Sequence, residues 1–133
     1  MERIVNLRQP PLLIGDRSEA SLRNIARRAM VREPEVAESL LEEIDRADVV
    51  SESELPDDVI RIGSFITYRV GPTGTVNTIQ LVSPHEADLS RLRVPVVSAV
   101  GAALIGLRAG QQIEWPLAGR AQVLEVLRVA KEA

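Results

Sequence analysis

The stretch that decides the fold runs from Asp16 to Ala47 and reads DRSEASLRNIARRAMVREPEVAESLLEEIDRA. Its apolar residues recur every three or four positions in two blocks, separated by a short connection around Val31–Glu33. That spacing places side chains on one face of an amphipathic helix. Asp16 is the expected N-cap of the first helix with Glu19 as its capping-box partner, and Pro34 suits the first turn of the second helix. The stretch predicts two antiparallel helices packed as a hairpin, a short coiled coil.

Beyond residue 50 the helical period gives way to the alternation of apolar and polar residues that is typical of strands. Extended segments are expected at 66–70, 75–82, 94–97, 113–117 and 123–129. A short helix is expected at 98–105, with Ser98 as its N-cap and Gly106 just past its end. The chain is therefore predicted to be an α+β protein, with a helical hairpin in residues 1–50. Residues 51–133 are expected to form an antiparallel sheet of four or five strands with one short helix.

Composition excludes several classes of protein and site. The chain has 133 residues, of which 45% are hydrophobic and 26% charged, values that fit a globular protein. There is no cysteine and a single histidine, His85, which excludes disulfides and thiolate metal sites and argues against a histidine-based zinc site. No secretory signal or apolar run of about 20 residues is present. We therefore expect a cytoplasmic protein without a membrane segment, a bound metal or a cofactor.

Charge is distributed unevenly along the chain. Residues 1–32 carry seven arginines and three acids, whereas residues 33–58 carry eleven acids and one arginine. Residues 59–133 carry eight basic and five acidic residues, which completes the net charge of −3. No segment has the dense stripe of lysine and arginine that a phosphate-backbone binder needs. The sequence therefore predicts no direct, sequence-specific binding of nucleic acid.

Candidate catalytic residues are few. The serine and acidic residues around His85 show no arrangement that suggests a triad. The glycines at 101, 106 and 110 do not form a phosphate-binding fingerprint. The sequence thus predicts a protein that is not an enzyme. Gly101 lies inside a predicted helix, where glycine is unfavourable, so a close contact is expected there. That contact is either with the sheet or with another protein.

Charged residues at the hairpin turn allow two interpretations. Glu33 and Glu35 either favour the positive N-terminus of the second helix or deliver carboxylates into a cavity of another protein. Arg32 lies beside them and is the third candidate residue of the tip. The other arginines of the first helix either form a docking surface or balance the acidic second helix.

Two motifs resemble a known family. The first runs from Leu40–Ala47 into Glu54–Ile60, and the second is Ser98–Gly110, with sequence SAVGAALIGLRAG. Together they are similar to the Rnk family (regulator of nucleoside diphosphate kinase) and to the C-terminal domain of the elongation factors GreA and GreB. The resemblance covers about residues 36–130. It implies a short antiparallel coiled coil followed by an FKBP-like α+β domain.

The resemblance also implies a partner. The FKBP-like domain of this family docks on RNA polymerase beside the secondary channel, which identifies Ser98, Ala99, Val100 and Gly101 as docking candidates. Relatives usually have proline where this chain has Ala99. The expected function is a non-enzymatic, monomeric transcription regulator, and the alternative is an adaptor for a metabolic enzyme such as nucleoside diphosphate kinase.

The fold name raises prolyl isomerase activity as a rival function. Isomerases of this fold line the proline pocket with several aromatic residues, and this chain has only Phe65, Tyr68 and Trp115. We therefore do not expect isomerase activity.

The length of the hairpin sharpens the functional expectation. Helices of about 14 residues extend only about 21 Å at about 1.5 Å per residue. The coiled coil of Gre factors is more than twice as long and places acids beside the catalytic Mg²⁺ of polymerase. Glu33 and Glu35 are therefore expected to stop short of that metal. The protein should compete with Gre-type factors without stimulating transcript cleavage.

Overall fold

The computed structural model describes residues 10–71, 73–117 and 119–131. Within these ranges the α-helices and strands, in chain order, are β1 (Leu13–Gly15), α1 (Asp16–Ala29), α2 (Pro34–Arg46), β2 (Asp48–Val50), β3 (Phe65–Gly71), β4 (Thr75–Val82), β5 (Arg93–Pro95), α3 (Ala99–Leu104), β6 (Gln112–Leu117) and β7 (Arg120–Ala130). Short 3-10 turns lie at 52–54, 84–86 and 89–91. The α+β class is confirmed. None of the helices in these ranges has the length and apolar character needed to cross a membrane.

The predicted helical hairpin is present. The backbone N–H of Glu33 donates to the carbonyl of Ala29 at 2.8 Å, which closes the tight turn between α1 and α2. Pro34 occupies the first turn of α2, as predicted, because its missing N–H is not needed there. The guanidinium of Arg23 on α1 donates to the carboxylate of Asp45 on α2 at 2.7 Å. That pair links the two helices near the end of the hairpin where the chain enters and leaves.

The predicted capping box of α1 is wrong. Gly15, not Asp16, is the N-cap residue, and it has no side chain with which to cap the helix. The cap comes instead from Glu52, whose Oε1 accepts hydrogen bonds from the backbone N and the Oγ of Ser18, both at 3.2 Å. A further hydrogen bond joins the same two segments, in which the Oδ1 of Asp16 accepts from the backbone N of Glu52 at 3.1 Å. Glu19 pairs with the arginine one turn further along α1. A carboxylate that is distant in sequence has replaced the local one.

The main sheet has five strands in the order β5-β4-β3-β7-β6. The pairs β3–β4, β3–β7 and β6–β7 are antiparallel, with a register shift between Thr67 and Tyr68 where β3 meets β7. β5 pairs with β4 in parallel, so the sheet is mixed and not wholly antiparallel as predicted. Period-2 alternation shows that a segment is extended but carries no information about its direction, which explains the error.

A second, two-stranded sheet joins the start of the chain to the end of the hairpin. β1 pairs in parallel with β2, which aligns Leu13 with Asp48 and Ile14 with Val49. The sequence did not predict these strands, because segments of three residues are too short to show a period. The pairing places both ends of the hairpin at one point, where Leu13 N also donates to the carbonyl of Gly106 at 3.0 Å.

One hydrophobic core joins the hairpin to the sheet. Leu22 and Ala26 of α1 and Leu40 of α2 belong to the same buried cluster as the inner face of the sheet and α3. The hairpin and the sheet therefore share one core. The domain boundary expected between residues 50 and 51 stays a prediction.

Candidate functional site

The segment Ser98–Gly101 begins α3 at the end of the hairpin that carries the turn. The Ser98 Oγ accepts a hydrogen bond from the backbone N of Gly101 at 3.0 Å and donates one to the carbonyl of Pro95 at 2.7 Å. Ser98 is thus the N-cap of α3, as predicted, and it ties the helix to β5. Ser98, Ala99 and Val100 are each half-buried, so part of each side chain faces solvent. The segment is a rigid corner on the surface.

Gly101 differs from its three neighbours because it is buried. A Cβ at this position would lie 2.9 Å from the Cα of Val96 and would also overlap the carbonyl of Pro95. The backbone of α3 therefore crosses the end of β5 at a distance that only glycine permits. Of the two contacts considered for this residue, internal packing accounts for it. Ser98, Ala99 and Val100 are the docking candidates that offer side chains to a partner.

The three tip candidates are exposed. Arg32, Glu33 and Glu35 all lie at the turn of the hairpin or in the first turn of α2. Among the described residues, no ion pair or side-chain hydrogen bond involves any of them. Val31, next to them, is the most exposed large apolar residue of the described ranges, at 88%. The tip therefore presents one apolar and three charged side chains to solvent.

The structure brings the tip and the Ser98 segment together. A cleft of about 660 Å³ lies between α1 and the sheet, and Arg32 and Glu33 line it opposite Pro95 and Val97, the residues that lead into Ser98. We call it the α1 cleft. Its lining is mixed, with the apolar Ile25 of α1 beside the polar Ser83 and His85. Sequence reasoning treated tip and segment as separate candidates, because their adjacency depends on tertiary packing of the hairpin.

A smaller cleft lies on the other side of the same segment. It has a volume of about 290 Å³, and Glu35 and Val36 of α2 line it opposite Ala99, Trp115 and Pro116. We call it the Trp115 cleft. Ser98 and Ala99 therefore form a ridge that separates two clefts, each of which has a residue of the hairpin tip on its opposite wall.

The electrostatics of α1 separate two groups of arginines. Arg23 donates to both Glu19 and Asp45, and these hydrogen bonds, that to Asp45 foremost, raise its pKa. Arg28 and Arg32 line the α1 cleft, and no ion pair among the described residues involves either of them. Compensation of the negative charge of α2 explains Arg23, which pairs with Asp45, but it does not explain the two arginines that line the cleft.

The aromatic residues do not converge on a common pocket. Trp115 is 7% exposed and Tyr68 is 6% exposed, and both belong to the hydrophobic core. Burial raises the pKa of the Tyr68 hydroxyl. Phe65 is half-buried and lies three residues before Tyr68 on β3, so it points to the opposite face of the sheet. This arrangement gives no aromatic-lined proline pocket within the described residues.

Comparison with known proteins agrees with this architecture. The family described as "Transcription elongation factor, GreA/GreB, C-term" matches residues 55–131. The chain is 40% identical over 95 residues to "Regulator of nucleoside diphosphate kinase" of Escherichia coli (strain K12), a match that covers 71% of this chain and 70% of the relative. It is 37% identical over 84 residues to the transcription elongation factor GreA of Rhodospirillum rubrum, covering 63% of this chain and 54% of that protein.

A solved structure extends the similarity to the hairpin. The prokaryotic transcription elongation factor GreA/GreB from Nitrosomonas europaea superposes with a TM-score of 0.70 at 28% sequence identity. The match covers 91% of this chain and 98% of that chain, so it includes the hairpin as well as the sheet. The overall arrangement of hairpin and sheet is thus shared with a protein of that description.

Proposed function

Because this chain belongs to the family of the GreA/GreB C-terminal domain, with the Rnk-type regulator of Escherichia coli among its relatives, we propose that it binds RNA polymerase and regulates transcription without catalysing a reaction. The contact is made at the rim of the secondary channel, by the ridge of Ser98 and Ala99. The protein competes there with Gre-type factors.

The observation that carries this proposal is the adjacency of the ridge and the hairpin tip. Ser98 and Ala99 are held rigidly by the cap of α3, and Arg32 and Glu35 stand across a cleft on either side. A preformed surface loses little conformational entropy when it binds. Both sets of exposed residues can therefore contact one partner at the same time.

The length and position of the hairpin support the absence of cleavage activity. α1 and α2 have 14 and 13 residues. At about 1.5 Å per residue each extends about 20 Å. Glu35 already lies across a cleft from Ala99, so a partner held at the ridge also holds the tip near the rim. A carboxylate assists a catalytic Mg²⁺ only within about 2–5 Å, directly or through a water, and Glu33 and Glu35 would remain outside that range.

A cleavage assay on backtracked elongation complexes tests the proposal. We expect the protein alone to produce no cleavage, and increasing amounts of it to slow cleavage by a Gre-type factor. Cleavage by the protein alone that is lost in Glu33→Ala/Glu35→Ala would contradict the argument from reach. Failure to slow the Gre-dependent reaction at any concentration would contradict competition.

A matched pair of variants tests the docking surface. Ala99→Glu places an unpaired carboxylate on the ridge, and we expect it to weaken competition about tenfold or more. Ala20→Glu makes the same change on an exposed face of α1, far from the tip, and should compete like the unmodified protein. Equal competition by the two variants would show that the ridge does not contact polymerase.

The name of the Escherichia coli relative supports a second candidate, an adaptor that regulates a nucleoside diphosphate kinase. Capture experiments from a bacterial lysate separate the two candidates. Recovery of polymerase subunits, lost in Ala99→Glu, supports the first. Recovery of the kinase without polymerase supports the second.

A further inference from the structure

The polymerase proposal uses Ala99 and Glu35 on the walls of the Trp115 cleft, but not the cavity between them. It lies between α2, α3 and the β6–β7 hairpin, on the far side of the ridge from the α1 cleft. Its volume of about 290 Å³ lies just below the range of about 300–1,000 Å³ that is usual for small-molecule sites. The cleft therefore suits a side chain and a short piece of backbone better than a whole cofactor.

Apolar side chains line much of the cleft. Val36, Ala99, Trp115 and Pro116 are among them, while Ser39 and Glu35 are polar. Trp115 is 7% exposed, so a small part of its indole faces the cleft. The cleft stays open because the residue at the ridge is alanine, which extends no further than Cβ. An aliphatic side chain that entered would leave water and contact the indole, which is favourable in proportion to the apolar area removed from water.

Glu35 gives the cleft its charge preference. It is the only charged residue among those that line the cleft, it is exposed, and no ion pair among the described residues involves it. Its place in the first turn of α2 is favourable for a carboxylate in any case. That explanation accounts for the charge but not for the open apolar cavity beneath it. A cation on the ligand next to its aliphatic group would satisfy both features.

We propose that the Trp115 cleft binds a segment of a partner protein in which an aliphatic residue is followed by lysine or arginine. The aliphatic side chain lies against Trp115, and the cation pairs with Glu35 at the entrance. This site goes beyond the proposed docking on polymerase, and it can be tested without polymerase, so either proposal can fail alone.

Trp115 is the only tryptophan of the chain, so its fluorescence reports directly on the cleft. The probes are the blocked tetrapeptides Ac-Gly-Leu-Lys-Gly-amide, Ac-Gly-Leu-Glu-Gly-amide and Ac-Gly-Gly-Lys-Gly-amide, titrated into the full chain at millimolar concentrations. We expect a saturable change in emission with the first peptide. The peptide without leucine should bind about tenfold more weakly, since it lacks the apolar group. The peptide with glutamate should bind about threefold to tenfold more weakly, since its charge is repelled.

Variants of the cleft give the decisive comparison. Glu35→Lys should reverse the preference between the lysine and glutamate peptides, and this exposed residue can be changed without loss of the fold. Ala99→Leu fills the cavity and should abolish the response, while Ala20→Leu, on an exposed face of α1, should keep it. Circular dichroism verifies that each variant is folded. An unchanged peptide preference in Glu35→Lys, an equal response to all three peptides, or no saturable response would overturn the proposal.

Discussion

The two ends of the hairpin differ in how they meet the rest of the chain. At the end where the chain enters and leaves, which we call the base, polar groups are used within the fold. Glu52 caps α1, and Arg46 donates both to Glu43 and to the carbonyl of Pro10. At the tip, Arg32 and Glu35 have no partner among the described residues and line open clefts. We therefore expect substitutions at the base to change stability, and substitutions at the tip to change the proposed binding.

The largest loss of stability is expected at the base. Glu43 is 3% exposed, and its carboxylate accepts three hydrogen bonds from Arg46 at 2.8–3.1 Å. Glu43→Ala leaves the guanidinium half-buried without its anion. We expect a loss of about 2–3 kcal/mol in the free energy of unfolding, below the loss of about 3–5 kcal/mol for a fully buried pair because Arg46 is partly exposed. Urea denaturation measures it.

Glu42→Ala is the matched control. Glu42 precedes Glu43 on α2 but is exposed, and no ion pair among the described residues involves it. Its removal should change the free energy of unfolding by less than about 0.5 kcal/mol. A loss for Glu43→Ala no greater than for Glu42→Ala would show that the buried pair does not stabilise the base.

The second effect concerns Gly101, the buried residue that packs the ridge against the end of β5. Gly101→Ala places a methyl group 2.9 Å from the Cα of Val96. Because the atoms that this methyl group would meet, the Cα of Val96 and the carbonyl oxygen of Pro95, belong to the backbone, relief requires a shift of α3. We expect a loss of about 2 kcal/mol in the free energy of unfolding. Gly71→Ala is the control, since a Cβ there would meet its nearest neighbour at 3.7 Å, an ordinary contact. Thermal unfolding of both variants gives the comparison, and equal melting temperatures would contradict the close crossing.

The third effect tests the cap of α1. A Cβ on Gly15 would overlap the carboxylate of Glu52, which must then swing away from Ser18. Gly15→Ala should therefore lower the free energy of unfolding by about 1 kcal/mol, and Glu52→Ala should lower it by a similar amount. Because both changes remove the same interaction, the double variant should be scarcely less stable than either single one. Additive losses in a double-mutant cycle would show that Gly15 and Glu52 act independently.

The same division between local and distant contacts explains what the sequence revealed. The hairpin, the turn with Pro34 and the cap by Ser98 all follow from residues a few positions apart, and all are present. The cap of α1 was mispredicted because the carboxylate that caps the helix belongs to Glu52, which lies 36 positions after Asp16. The parallel pairing of β5 with β4 was missed for the same reason, since neither depends on a local pattern.

The candidate site shows a similar limit. The sequence suggests the candidate residues of the tip by their position in the hairpin, and those of the ridge by family resemblance. It does not suggest their adjacency, because 66 positions separate Arg32 from Ser98 and only the packing of the hairpin on the sheet brings them near. The role of Gly101 remained open for the same reason, since its contact with Val96 depends on the crossing of α3 over β5.

The smallest effect on stability, and the most specific effect on function, is expected at Arg32. Arg32 and Arg27 are both exposed arginines, and no ion pair among the described residues involves either. Arg32 lines the α1 cleft beside the ridge, whereas Arg27 does not. We expect Arg32→Glu and Arg27→Glu each to change the free energy of unfolding by less than about 0.5 kcal/mol, since both side chains are exposed. In the competition assay, Arg32→Glu should weaken competition severalfold because a charge next to the proposed docking surface is reversed, and Arg27→Glu should leave competition unchanged.

Raising the salt concentration should reduce the difference in competition between the two variants, because the contact is exposed. If both reversals weakened competition equally, the arginines would act through the overall charge of α1, and the tip would have no special part in docking.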